Sequence, residues 1–288
     1  MLFTKNLRAE YSMSILIILL LIFISVMGIA NPGIYGDNDF LLPQYYAQDM
    51  FSLILVVPLL IGSMIWTGRG SAKGYLLWTG WIVYILYFYT FYVFGVYHNA
   101  LFLAYVALYG LTLYTLIGLL AKVDVNVLKA QFSEKTPVKV IAVFFIFIAT
   151  LFYFLWINDV ITNLAAGTIP QSVTNFETPT NIVHILDMAV LLPAVLMAGI
   201  WLWRRNPWGY ALAGIILSKV VTLCGILLLS SYYLKLAGQP VFEVEALTFG
   251  VMGMISLVLL IVFLANHSGS SGTQVIQSES SETIVTSG

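Results

Sequence analysis

The sequence predicts an all-α integral membrane protein with eight transmembrane helices, arranged as two parallel four-helix repeats with both termini cytoplasmic. Three observations carry this reading. Hydrophobic residues make up 60% of the 288 positions and charged residues only 9%, against about 45–50% and about 25% in soluble domains. Apolar runs of spanning length recur eight times. One helical hairpin matches a second at a constant offset of 135 residues.

A hydrocarbon core of about 30 Å takes roughly 20 apolar residues in a helix. The first run, 13–30, follows the cations Lys5 and Arg8. Those cations and the small Gly28 and Ala30 also fit a cleaved signal segment, which would leave seven helices and put the cut at Asn31. The run is long for a signal core and Pro32 would follow the cut closely, so eight spans are expected. The second run, 50–66, contains Pro58. The third and fourth, 75–95 and 101–120, are rich in tyrosine and phenylalanine. The remaining runs fall at 138–156, 182–203, 208–229 and 247–265. None shows the alternation of a barrel strand, so all read as helices. Residues 266–288 are rich in Ser, Gly and Thr, too polar to bury a core, and read as a disordered cytoplasmic tail.

Direction follows from the cations. Lys5, Arg8, Arg69, Lys73, Lys122, Lys129, Lys135, Lys139, Arg204 and Arg205 fall on the side holding both termini, Lys235 falls on the other, and Lys219 lies inside a helix. Positive charge marks the cytoplasmic side, and the plasma membrane of a prokaryote is the expected location. A net charge of −1 leaves no basic surplus for nucleic acid. The single Cys224 excludes an intrachain disulfide, a CxxC pair and a thiolate metal site. No cofactor is indicated, and the expected partners are the lipid bilayer and a small-molecule solute.

Placing residues 53–77 over 188–212 without a gap gives seven identities: Pro58/Pro193, Ile65/Ile200, Trp66/Trp201, Arg69/Arg204, Gly74/Gly209, Tyr75/Tyr210 and Leu77/Leu212. Apolar helices match at Leu and Ile by chance, but rarely at Pro, Trp, Arg, Gly and Tyr together. The reading is a duplication, with a first repeat over 1–124 and a second over 125–265. Four helices per unit preserve orientation, so the repeats are parallel about an axis along the membrane normal. A convergent helix-turn-helix solution is the alternative.

Ionisable residues within a membrane are costly and mark function by default. Lys219 falls near the middle of the seventh run and Asp187 about five residues into the sixth. A short turn makes these helices neighbours, so a charge pair between them is expected, serving either a transport pathway or helix packing. His184 shares a face with Asp187, and Thr222 follows Lys219 by three residues. With His98, Asp49, Glu243 and Glu245 these residues suggest an acidic, imidazole-bearing outer vestibule, though the ligands are too few to indicate a metal. Tyr84, Tyr87, Tyr105 and Tyr109 are candidates for an aromatic lining, with ordinary packing as the alternative.

The expected function is binding or transport of a small solute through a site on the sixth and seventh helices. An integral membrane enzyme acting on a lipid or isoprenoid, with His184 and Asp187 as acid and base, is an alternative, as is a non-catalytic sensor or assembly factor. No catalytic residue is identified. His184 and Asp187 are one residue short of the HxxxD spacing of membrane acyltransferases. Lys219 lacks the aspartate four residues earlier that would make it similar to the lysine of retinal proteins. No GxxxxGK[ST], GxSxG or HExxH pattern occurs.

Overall fold

The computed structural model describes residues 2–267. Among these, eight helices are long and apolar enough to cross a membrane: α1 (Arg8–Ala30), α2 (Leu42–Gly68), α3 (Ala72–Gly95), α4 (Phe102–Lys122), α5 (Val138–Ala166), α6 (Ile182–Trp203), α7 (Pro207–Leu236) and α8 (Glu243–Ala265). The described chain has no strand, only two isolated bridges. The face of the bundle that carries Leu2 and the 69–71 and 204–206 turns is called the near face below, and the opposite one the far face.

Three helices run well past their apolar cores. α2 starts eight residues before the apolar run because Tyr45, Gln48 and Asp49 are buried against other helices and need no lipid-compatible side chains. α5 and α7 extend by ten and seven residues at the far face.

The core lies along α3 and α7, the most enclosed of the eight. Small residues let the two backbones approach. A Cβ at Gly80 would sit 2.5 Å from Ser218 Cβ, and one at Gly214 would sit 2.9 Å from Leu76 Cδ1. The outer faces of α1, α5 and α8 expose Leu19, Phe147, Phe154 and Val258, surfaces that only a hydrocarbon environment covers without cost.

α2 and α6 share an irregularity. Ser52–Val56 and Asp187–Leu191 are single π-helical turns, closed by hydrogen bonds from Val57 N–H to Ser52 O and from Leu192 N–H to Asp187 O. Each is followed by its proline, Pro58 or Pro193. Proline cannot donate to the carbonyl four residues back and its ring clashes there. A wider turn accommodates both defects. The two π turns stand 135 residues apart.

The near-face hairpins also correspond. Ser71 caps α3 by accepting from Gly74 N–H, and Asn206 caps α7 by accepting from Trp208 N–H. Ser71 N–H donates to Trp66 O, and Asn206 N–H to Trp201 O. Beside them, Phe3 bridges to Val123 and Phe132 to His267, with Thr4 N–H donating to Lys122 O and Ser133 N–H to Asn266 O, both at 2.9 Å. Asn266 and His267 therefore belong to the fold, not to the tail; the rest of the tail lies outside the described residues.

Lys122 belongs to a buried ion pair. Its Nζ lies 2.6 Å from Glu10 Oε1 and donates to Oε2 at 2.8 Å, with the Glu10 side chain only 3% exposed. This pair ties α1 to α4. Removing one partner of a buried pair strands the other, so Glu10→Ala is expected to destabilise the protein by about 3–5 kcal/mol, whereas Glu134→Ala, whose carboxylate is 94% exposed beside Arg205, is expected to have almost no effect. Thermal unfolding of the two variants in detergent checks this.

Candidate functional site

The site is built around the π turn of α6. Asp187 opens that turn, only 7% exposed. Tyr87 Oη of α3 donates to Asp187 Oδ1 at 2.9 Å, and Trp156 Nε1 of α5 donates to Oδ2 at 3.0 Å. Tyr153 Oη donates to Met188 O at 2.8 Å, satisfying a carbonyl within the turn. A carboxyl group held by two protein donors, and by no cation within ion-pair reach, is fixed in orientation without an ionic partner.

Lys219 comes from α7 and is fully buried. Its Nζ sits 3.8 Å from the centroid of the Tyr87 ring, a cation–π contact, and has no hydrogen-bond partner. The expected direct pair between Asp187 and Lys219 does not form; Tyr87 contacts both, with its hydroxyl on Asp187 and its ring face on the Lys219 ammonium. Depth explains this. Lys219 is twelve residues from the near end of α7, about 18 Å at 1.5 Å per residue, and Asp187 is sixteen residues from the near end of α6, about 24 Å. A side chain long enough to span that difference is supplied by a third helix.

His184, one turn further toward the far face, is buried. Its ring lies over Trp156 with centroids 4.3 Å apart, and its Nδ1 is 3.9 Å from Asp159 Oδ2. Thr222 is also buried, but its hydroxyl donates to Ser218 O within α7. The structure thus brings Asp187, His184, Lys219 and Tyr87 into one neighbourhood. The sequence reading missed Trp156 as a donor and Asp159 as a helical residue, because the apolar run ends at 156 whereas α5 continues to Ala166. Their three-residue spacing, which puts Trp156 and Asp159 on one helix face, was the available signal.

Other candidates separate from this group. Tyr84 Oη donates to Gln48 Oε1 at 3.0 Å, Tyr105 packs against Tyr89 and Tyr92, and the Tyr109 ring meets that of Phe94. The four tyrosines do not line one pocket. Nor does the outer vestibule assemble: Asp49 is buried, His98 is exposed with its ring tilted against Phe102, and Glu243 and Glu245 are exposed. Among the described residues no three His, Cys, Asp or Glu side chains converge as a metal site would require. Two clefts of about 540 and 590 Å³, one beside Tyr46 and Tyr233 and one beside Phe3 and Tyr11, lie away from Lys219.

The offset of 135 contrasts the halves. Lys219 corresponds to Tyr84, Asp187 to Ser52, and His184 to Asp49. In the first half a closed chain runs from Tyr84 to Gln48 Oε1, then from Gln48 Nε2 to Ser52 Oγ at 3.2 Å. The residue matching Gln48 is Val183, so the acceptor that satisfies Tyr84 has no counterpart for Lys219. No known protein family, curated protein or solved structure matches this chain.

Proposed function

We propose that this multi-pass membrane protein binds or transports a small solute at the Tyr87, Asp187 and Lys219 group. One observation carries the reading: a fully buried ammonium without a hydrogen-bond acceptor stands one aromatic ring away from a buried carboxylate without a cation. A charged side chain in a membrane helix costs about 2.5–3.5 kcal/mol even on insertion scales. A fold that needed only stability would pair the two charges or replace them. Left apart, Lys219 offers three donors to an anionic or strongly accepting group of a ligand. His184 and Thr222 stand close to this group in sequence, on the same two helices.

The paired π turns, caps and bridges support an architecture of two parallel repeats, with Lys219 of one repeat reaching Tyr87 of the other across the α3–α7 contact. The ten near-face cations support a cytoplasmic position for that face, and hence for both termini, in the plasma membrane of a prokaryote. A repeat boundary between the helices is a common location for a transported solute.

The test uses purified protein and a panel of organic acids, amino acids and sugar phosphates, read by thermal unfolding. At least one compound is expected to stabilise the wild type by mass action and to lose its effect in both Lys219→Met and Asp187→Asn. Responses that persist in both variants, or a wild type indifferent to the whole panel, overturn the proposal.

A further inference from the structure

The first half contains a second buried polar cluster that the solute site does not use. Asp49 is 1% exposed on α2. Its Oδ2 accepts from Tyr35 Oη at 2.5 Å, Oδ1 has no hydrogen-bond partner, and the Ser25 side chain stands beside the carboxylate. Gly28 of α1 makes this possible, since any Cβ there would overlap both Asp49 Oδ2 and Tyr35 Oη.

Around the carboxylate stand Tyr89 and Tyr92 of α3 and Tyr105 of α4, each within electrostatic reach of Asp49. Their rings interlock, with Tyr89–Tyr92 centroids at 4.9 Å and Tyr92–Tyr105 at 5.3 Å. Tyr89 and Tyr92 are no more than 3% exposed, and neither hydroxyl has a hydrogen-bond partner. Buried hydroxyls are ordinarily satisfied. Two orphaned ones facing a buried carboxylate with no paired lysine, arginine or histidine call for a missing positive species.

We propose that Asp49, Tyr35, Tyr89, Tyr92 and Ser25 form a binding site for a monovalent metal cation of sodium's type. The charge follows from the balance: one carboxylate is neutralised by a single positive charge, and a divalent ion would leave one uncompensated in the membrane. The hardness follows from the donors, which are all oxygens; there is no thiolate or imidazole in the cluster. A phenol that donates its proton to Asp49 keeps a lone pair for the ion. The site draws on α1, α2 and α3 and on Tyr35 in the turn between α1 and α2, so occupancy ties these three helices together. It stands independently of the solute site.

Thermal unfolding of the full chain in detergent, with sodium chloride replacing N-methylglucamine chloride at constant ionic strength and pH, tests this. A saturable rise of about 5 °C is expected, the size mass action gives when the ion is far above its dissociation constant. Asp49→Asn is expected to abolish it. Tyr92→Phe, which removes only an unbonded hydroxyl and leaves the ring packing intact, is expected to cut it by more than half and serves if Asp49→Asn does not fold. Lys219→Met is expected to keep it in full, which separates this site from the proposed solute site. A wild type indifferent to sodium, a response undiminished in Asp49→Asn or Tyr92→Phe, or stabilisation by acid with sodium silent overturns the metal site, the last assigning Asp49 a proton instead.

Discussion

Lys219→Met is expected to raise the stability of the purified protein, and Asp187→Asn to lower it. The two side chains sit in one group, yet their removal has opposite consequences because their satisfaction differs. Lys219 is fully buried with an ammonium that no protein oxygen accepts; its compensation is the Tyr87 ring, and a cation–π contact is worth about 2 kcal/mol when desolvated. Methionine keeps the stem's volume and polarisable contact with the ring while removing the charge. Replacing buried charge with well-packed apolar groups stabilises by about 1–4 kcal/mol in comparable cases. Asp187 is the reverse. It accepts hydrogen bonds from Tyr87 and Trp156, and bonds to a charged acceptor contribute about 1.5–3 kcal/mol each. An asparagine in its place presents an amide group where one of those donors must be received. Equilibrium unfolding of both variants in the same detergent decides the matter. A structural ion pair would make both substitutions destabilising, because each would strand a partner. Opposite signs mean that the protein keeps Lys219 at a cost to its own stability, as residues retained for function commonly do.

How much of this was legible beforehand varies with the kind of signal. The eight helices were readable because hydrophobicity along a spanning segment is a local property, and Lys219 and Asp187 stood out because charge is scarce there. The bridging role of Tyr87 was not readable. It lies in the stretch YILYFYTFYVF, where aromatic residues point in every helical direction and nothing local distinguishes the one that reaches across to α6. Asp49 was misplaced for a related reason: the apolar run begins beside it, so it read as a wet helix end. Its burial depends on Tyr35, Gly28 and α3, which are distant in sequence or hidden in a glycine. Asp159 likewise falls beyond the apolar run that ends at 156, whereas α5 continues past the polar Asn158. The prolines marked two corresponding helices but not the π turns before them, since whether a helix answers proline with a kink or a π turn depends on its neighbours.

Gly74→Ala and Gly209→Ala are expected to be among the most damaging single-methyl additions in the protein, and to be so equally. Each glycine sits in the first turn of the helix that returns from a near-face hairpin. A Cβ at Gly74 would lie 2.6 Å from Thr67 N and 2.9 Å from the carbonyl carbon of Trp66; one at Gly209 would overlap the matching backbone atoms, Leu202 N and Trp201 C. These are main-chain atoms fixed by the preceding helix, and no side-chain rotation relieves the contact. The returning helix must therefore move away, opening the packing of α3 on α2 or of α7 on α6, at about 1–3 kcal/mol or more for the overlap alone. Gly110→Ala is the control. That glycine is mid-helix in α4 with nothing within 4 Å of its added methyl, and there alanine is the better helix former by about 1 kcal/mol. Measured side by side, Gly110→Ala is expected to unfold at or above the wild-type temperature and the other two well below it, by similar amounts. If only one of the pair falls, the two hairpins are not equivalent in packing, and the duplication loses its physical footing; if both fall together, the recurrence of glycine 135 residues apart is explained by a steric demand that each half meets in the same way.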